Sequence, residues 1–455
     1  MSFRTWKALL LAGCGIGASL AAAVDANAGG FAIREQSAYG QGTSFAGIAA
    51  GGDLSGMFWN PAVMTQFAGM QSSSTFTGIF PTVDHTVSPT STLAILGTAP
   101  NSGVAALVPG SYFSYQLNPS LWLGMSINAP FGLSVTFPDA WAGRNYAGST
   151  TLQTYNATPS VAYRINDWIS IGAGLQIEYA RADLATGLPV NGLGVPGLAA
   201  LGNQLDIAGN GWGFGFTAGV TLTPTPTTTI GLGWRSAINQ KIEGDLFLPP
   251  GPAFTPAFGS TPGSVSTTLN LPDIVTASLR QRISPQWTVL GTIEWSNWSR
   301  IGTSTVEQAS GAPATVLGNA IRLPFQYDDG WFFAAGAEYM WDERATVRAG
   351  VAYEISPITD DVRTPRLPDN DRFWLSVGMS YKITPKIVAD FAYSHIFVKD
   401  TPINISAASG NPWFNPAAPI TYIGSTDAHI DIVSIGIKYR WDDPAPPMKS
   451  GLITK

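Results

Sequence analysis

The stretch Trp168–Tyr179, WISIGAGLQIEY, alternates from end to end. Ile169, Ile171, Ala173, Leu175, Ile177 and Tyr179 fall on one face, and Ser170, Gly172, Gly174, Gln176 and Glu178 on the other. A repeat of two residues marks a strand with one apolar and one polar side. Arg372–Ile383 (RFWLSVGMSYKI) repeats the pattern, with Phe373, Leu375, Val377, Met379, Tyr381 and Ile383 opposing Trp374, Ser376, Gly378, Ser380 and Lys382. Val433–Trp441 (VSIGIKYRW) does the same. Such strands suit either a soluble sandwich, with the apolar side in a core, or a membrane barrel, with that side in lipid.

The spacing of the connections separates the two. Tight turns are expected at Asn118–Ser120, Asn166–Asp167, Thr223–Thr227, Ser284–Pro285, Trp341–Arg344 and Thr384–Pro385. Between them lie long connections, around 81–108, 133–148, 185–210, 245–263, 303–327, 359–371 and 401–426. Short and long alternate along the whole chain, as an antiparallel barrel with short periplasmic turns and long external loops requires and a sandwich does not. The fold class is therefore all-β, a transmembrane antiparallel barrel of about 14 strands. Aromatic residues at strand ends, including Trp168, Trp287, Trp295, Trp298 and Trp441, suit interfacial girdles.

Composition agrees. Only 12% of the 455 residues are charged, about half the usual share for a soluble domain, yet 45% are hydrophobic and patterned. Apart from the N-terminus, no apolar run is long enough for a transmembrane helix. A net charge of −6 with no basic tract argues against nucleic acid as a partner. At the N-terminus, Arg4 and Lys7, the apolar run ALLLAGCGIGASLAAA and the ANA at Ala26–Ala28 make an export signal cleaved between Ala28 and Gly29. LAGC, Leu11–Cys14, imitates a lipoprotein box, but cutting there would leave signal-like sequence on the mature end. Removal of residues 1–28 takes away Cys14, the single cysteine, and with it any disulfide or thiol chemistry.

Residues 29–69 follow neither period. The segment includes Gly56–Gly69, GMFWNPAVMTQFAG, in which Asn60-Pro61 ends one turn and opens a short helical piece, with Ala62 next. About 14 strands enclose more space than their own side chains fill, so this segment is expected to occupy the lumen as a hatch; an ordinary N-terminal loop is the alternative. Residues 70–441 then form the barrel and the Pro-rich 442–455 a tail.

Other motifs carry no chemistry. Gly192–Gly197, GLGVPG, matches a nucleotide-binding pattern, but Pro196 and its loop context argue against one. His85, His395 and His429 lack metal-ligand spacing, so no metal or cofactor is expected. Asp369 and Asp371 in PDND read as a turn at a strand start, with calcium as the alternative.

Together these fragments resemble the FadL/TodX family of outer-membrane transporters for long-chain fatty acids and other hydrophobic molecules. The resemblance runs through GGFAIREQSAYGQGTSFAG, FWNPA, PFGLSVTFPDAWAGR, TYNATPSVAYRINDWISIGAGLQIEYARADL, GWGFGFTAGV, LNLPDIVTASLRQRI, IEWSNWSR and PDNDRFWLSVGMSY, in that order. It implies a 14-stranded barrel with an N-terminal hatch, a monomeric Gram-negative outer-membrane protein in contact with lipid and lipopolysaccharide. It also implies a lateral exit at a kink in the third strand, assigned to Pro130, Phe131 and Gly132. Phe31, at the start of the hatch, would reach the ligand pocket. The loop from Phe131 to Tyr146, with Trp141, would form part of an external groove or simply pack as a loop. ATGLPV, which follows YARADL, contains no Arg or Lys, so Arg181, Arg235 and Arg322 remain unranked substitutes for meeting a ligand carboxylate. An outer-membrane enzyme such as a lipase, or a structural or adhesive barrel, are the competing functions.

Overall fold

The computed structural model describes residues 30–187, 204–247, 263–308, 314–316, 319–416 and 419–442. The cleavage position at Ala28 and Gly29, the GLGVPG run and the tail beyond Asp442 lie outside them. Strands run as β1 (Met70–Val87), β2 (Ala106–Asn118), β3 (Leu121–Asn128, resumed at Gly132–Val135), β4 (Thr150–Arg164) and β5 (Ile169–Gly187). They continue as β6 (Gln204–Thr225), β7 (Thr228–Arg235 and Ile238–Phe247), β8 (Gly263–Leu271 and Ile274–Arg282) and β9 (Trp287–Ser296). The last five are β10 (Gly330–Met340), β11 (Ala345–Ile355), β12 (Arg372–Lys382), β13 (Ile387–Val398 and Thr401–Ile405) and β14 (Tyr422–Arg440). Each pairs antiparallel with the next, and β14 returns to β1 from Gln71↔Arg440 to Val87↔Gly424, closing a 14-strand barrel. The strand count read from the connections holds, and the short turns fall where the sequence puts them.

The two faces of the wall decide the solvent. Phe216, Val377 and Ile437 are 60%, 53% and 60% exposed, whereas Glu178 and Ser376 are 0% and 1% exposed. A water-soluble sandwich has the opposite arrangement; an apolar exterior around a polar interior belongs in a bilayer. Strands as long as the 22 residues of β6 exceed the 9–11 or so that span a membrane and carry the wall outward. Trp168, Trp287 and Trp341 are exposed beside the short turns, as a girdle requires. Trp298 is not a girdle residue: it is buried and packs on Phe31 with ring centroids 4.6 Å apart. The short 3-10 turn Trp298–Ile301 that follows β9 turns it inward.

Residues 30–69 lie inside the barrel. Their polar atoms reach strands all round the wall: Ala38 N to Thr75 Oγ1 of β1 (3.0 Å), Asn60 Nδ2 to Val220 O of β6 (3.0 Å), Ala49 N to Ser278 Oγ of β8 (3.2 Å), Ser44 Oγ to Ser376 Oγ of β12 (2.7 Å) and Gln41 Nε2 to Ile432 O of β14 (3.1 Å). The segment folds as a short helix, α1 (Ala38–Gln41), and 3-10 turns at Ile48–Ala50, Leu54–Phe58 and Pro61–Gln66. Ser37, Asp53 and Asn60 each cap one piece with a side-chain oxygen, which meets amides that so short a helix leaves free. The lumen-facing glycines of the wall explain the fit. A Cβ on Gly172 would fall 2.5 Å from Ala62 N, and one on Gly231 would overlap Ala49 O, so backbone lies directly on backbone there.

Candidate ligand-binding site and wall opening

β3 is broken where Pro130, which has no amide hydrogen, cannot continue a ladder. β2 and β3 pair from Asn118↔Leu121 to Ser111↔Ile127 and then part. β3 keeps its other neighbour, since Phe131 N donates to Thr154 Oγ1 (2.9 Å) and Gly132 pairs with Gln153. Farther along, Gly103 bridges Val135 and Thr136 N donates to Ser102 O (3.1 Å), which bounds the gap. Pro130, Phe131 and Gly132 thus present a free edge toward β2.

The N-terminal segment takes that edge. Ile33 N donates to Pro130 O (2.8 Å) and Gly132 N to Phe31 O (2.9 Å), an antiparallel bridge centred on Ala32 and Phe131. Gln36 ties both sides of the gap. Its amide donates to Ala129 O (2.8 Å), and its main-chain oxygen accepts Tyr112 OH (2.7 Å) from β2. Asn60 anchors the other end: Oδ1 accepts Ala62 N (3.0 Å) while Nδ2 donates to Ala49 O (2.8 Å) and to the wall.

Charge holds the segment on the opposite side. Arg34 pairs with Glu294 (2.6 Å) and lies over the Phe332 ring. Tyr39 OH donates to Glu338, which Arg280 (2.7 Å) and Arg348 (3.0 Å) also meet. Asp53 pairs with Lys438 (2.8 Å), which also reaches Asp390 (3.1 Å). Asp369 is buried and accepts Gly30 N (3.0 Å), Ser356 Oγ (2.6 Å) and Arg372 Nε (2.8 Å), so the PDND turn fastens the beginning of the segment. Among the described residues, no His, Cys, Asp and Glu cluster is arranged to hold a metal ion.

Beyond Phe31 lies a cavity of about 120 Å³ with a mostly apolar lining that includes Phe31, Leu152, Leu269, Phe325 and Trp413. Phe31 borders this cavity. The three arginines read as candidates are placed elsewhere. Arg181 is exposed on the wall and Arg322 on an external hairpin. Arg235 is buried, but donates to Phe58 O (3.0 Å) and to Gln176 beneath the N-terminal segment. Trp141 is buried in the external loops, stacked on Phe137 at 4.6 Å and donating to Ala147 O, which is loop packing rather than a groove. The arginine that does line the cavity is Arg366. It comes from the aperiodic, Pro-containing run between β11 and β12, where no pattern points inward.

Glu35 is buried, and neither carboxylate oxygen has a hydrogen-bond partner beyond its own residue. Burial, reinforced by Glu354 and opposed by Arg34 and Arg372, pushes its pKa up from 4.5 to about 7. The seated segment therefore holds a proton that the released one gives up. Seating is favoured at low pH and weakens by about 3 kcal/mol as pH rises through that interval. Exchange of the Ile33–Ser37 amides should accelerate between these pH values beyond its intrinsic rise. In Glu35→Gln that extra slope should vanish; an unchanged slope would remove Glu35 from the account.

A closed barrel with an apolar outside, a filled lumen and an internal apolar cavity defines an outer-membrane transport protein. The chain belongs to the outer membrane protein transport protein family (OMPP1/FadL/TodX), whose model matches residues 19–441. It is 30% identical over 405 residues to the long-chain fatty acid transport protein of Escherichia coli (strain K12), covering 82% of this chain and 89% of that one. Outer membrane protein P1 of Haemophilus influenzae is 27% identical over 420 residues, covering 83% and 88%. The crystal structure of a Pseudomonas aeruginosa FadL homologue matches with a TM-score of 0.78 at 22% identity, over 91% of this chain and 100% of that one. The Pseudomonas putida toluene transporter TodX matches at 0.63 and 15% identity, over 86% and 95%.

Proposed function

We propose that this protein takes up long-chain fatty acids or similar hydrophobic molecules, holds them in the cavity beside Phe31 and releases them sideways into the membrane between β2 and β3. The N-terminal segment is the hatch. The observation that carries this reading is the Ala32–Phe131 bridge, where the N-terminal segment fills the missing stretch of β2–β3 pairing. Each buried methylene is worth about 0.8 kcal/mol, so a tail of about 17 methylenes favours an apolar path over water by about 14 kcal/mol. A route that never returns the ligand to water keeps that energy from becoming a barrier. The protein acts in this reading as a monomer, surrounded by outer-membrane lipid and lipopolysaccharide.

An enzymatic reading is less well supported. The fold brings His85 Nε2 within 2.8 Å of Ser102 Oγ, a pair the spacing did not suggest. His85 Nδ1 has no partner, however, and Phe137 and Trp141 cover the ring, so no acid orients it and the pair serves loop packing.

Uptake of labelled oleate, at matched surface protein, tests the proposal. Asn60→Ala removes the cap and its wall bonds, at a cost of about 0.5–2 kcal/mol to the hatch, and should change the uptake rate. Gly132→Val crowds the bend at the gap and should reduce it. Because both act on one path, their effects should not add. Wild-type rates in both variants would refute the hatch and side exit.

A further inference from the structure

One patch on the outer wall of the barrel is polar where its surroundings are apolar. On the outward side of β1, β13 and β14, Phe80 and His395 flank Asp431, and Thr82 and Phe397 flank His429. Asp431 Oδ1 accepts Tyr393 OH (2.6 Å) and lies 2.8 Å from His395 Nδ1, which leaves Oδ2 open. The His395 and His429 rings are stacked, with centroids 5.7 Å apart. His429 is exposed, and neither ring nitrogen hydrogen-bonds to another described residue. Titratable side chains facing hydrocarbon are costly and rare, so depth decides what these meet. Trp441 follows the periplasmic end of β14, and about ten residues of strand cross a membrane. Asp431 and its neighbours therefore stand at the external surface, level with the headgroups of the outer leaflet. Below them Val433, Ile435 and Ile437 of β14 and Phe391 of β13 are exposed and apolar, a bed for acyl chains. Elsewhere near this rim an aromatic donor meets a single aspartate, as Tyr353 meets Asp371 and Trp295 meets Asp329 (3.0 Å each). Two imidazoles and an open carboxylate oxygen are more than such a pair needs.

We infer that this patch binds one lipopolysaccharide molecule of the external leaflet, with His395, His429 and Asp431 holding its amino-sugar headgroup. Sugar hydroxyl and amide hydrogens find an acceptor in Asp431 Oδ2, and the imidazoles both donate to and accept from sugar oxygens. Phe80 and Phe397, both exposed, offer apolar ring faces to the C–H side of a sugar. In the next row outward Asp84 and Asp427 stand opposite each other and exposed, which adds acceptors for hydroxyls and disfavours a phosphate there. The leaflet selects the lipid as well, because the external leaflet of a Gram-negative outer membrane is lipopolysaccharide and its phospholipid lies on the periplasmic side. The site is outside the barrel and separate from the inner segment and the cavity. It stands whether or not ligand leaves between β2 and β3.

The test is equilibrium binding to the purified full chain in detergent, read by native mass spectrometry. The probes are a lipopolysaccharide trimmed to lipid A and its innermost sugars, and phosphatidylglycerol. Wild type should hold one lipopolysaccharide about tenfold more tightly than phosphatidylglycerol, the worth of one or two hydrogen bonds. The double variant His429→Ala/Asp431→Ala should lose that preference and bind phosphatidylglycerol as before. His429→Ala alone breaks no hydrogen bond within the protein, so its barrel should stay closed, as migration of the unheated sample on gels reports. It should lose about threefold in lipopolysaccharide affinity, and it decides the matter if the double variant does not fold. Asp329→Ala, which breaks a rim pair elsewhere on the wall, should leave the preference intact. Equal binding of the two lipids by wild type, or an undiminished preference in folded His429→Ala, would overturn the site. An equal loss in Asp329→Ala would overturn it too, by showing that the lipid touches the rim everywhere alike.

Discussion

Joining Ala32→Cys to Phe131→Cys through a disulfide should stop uptake almost completely, and reduction should restore it. The bonds Ile33 N to Pro130 O and Gly132 N to Phe31 O make Ala32 and Phe131 a non-hydrogen-bonded antiparallel pair. Their Cα atoms are then about 4.5 Å apart, within the range that a disulfide spans. The natural chain has one cysteine, Cys14, and replacing it with Ser leaves the cross-link without a competitor. The bond would rivet the hatch to the free edge of β3 without touching the ladders that close the barrel. A second pair at Ser111 and Ile127, where β2 and β3 are already joined, provides the control, because locking that position should leave uptake unchanged. Uptake that persists in the fully oxidised Ala32/Phe131 variant would mean that ligand leaves by another path.

The barrel was legible in the sequence because its determinants are local and repeated. Alternation in Trp168–Tyr179 and the regular exchange of short and long connections survive without any knowledge of partners. The inner segment was legible as a misfit to those periods, and Asn60-Pro61 as a helix start. The site was less legible. Trp298 and Asp369 meet Phe31 and Gly30, and Arg366 shares a cavity with Phe31, only because closing the barrel brings the loops after β9 and β11 over the lumen. Trp298 reads as a girdle residue until the turn after β9 points it inward. Arg181 shows the reverse error: it follows a strand toward the expected pocket, but the two-residue period places it outside. Glycines such as Gly172, which look like a weak polar face, turn out to be the places where backbone of the N-terminal segment rests on the wall.

Lys438→Met should release the middle of the hatch while leaving the barrel closed. The Lys438 ammonium lies between Asp53 of the hatch (2.8 Å) and Asp390 of β13 (3.1 Å), and both carboxylates are buried. Removing the cation strands them, at a cost of about 3–5 kcal/mol. That cost falls on hatch seating, because β14 is hydrogen-bonded to β1 and β13 along most of its length whatever side chain stands at this position. The pH dependence distinguishes this from simple damage. Burial works against ionised Asp53, but Lys438 and the Ser55 bonds outweigh it and hold the group below its ordinary 3.8. In wild type, Asp53 therefore contributes to seating above that pH and ceases to contribute as pH falls through the depressed value. Without Lys438, burial prevails, Asp53 titrates above its ordinary value, and the sign reverses, so that acid seats the hatch. Amide exchange across Leu54–Phe58, corrected for intrinsic rates, should be faster in Lys438→Met at neutral pH and should slow as the sample is acidified toward pH 5 or so. Adding Asp53→Asn should recover part of the seating and flatten the dependence, since the remaining Asp390 still has Arg348, 3.8 Å away, and the Ser380 hydroxyl. Exchange that matches wild type at every pH would show that the ion pairs decorate the seated hatch without holding it.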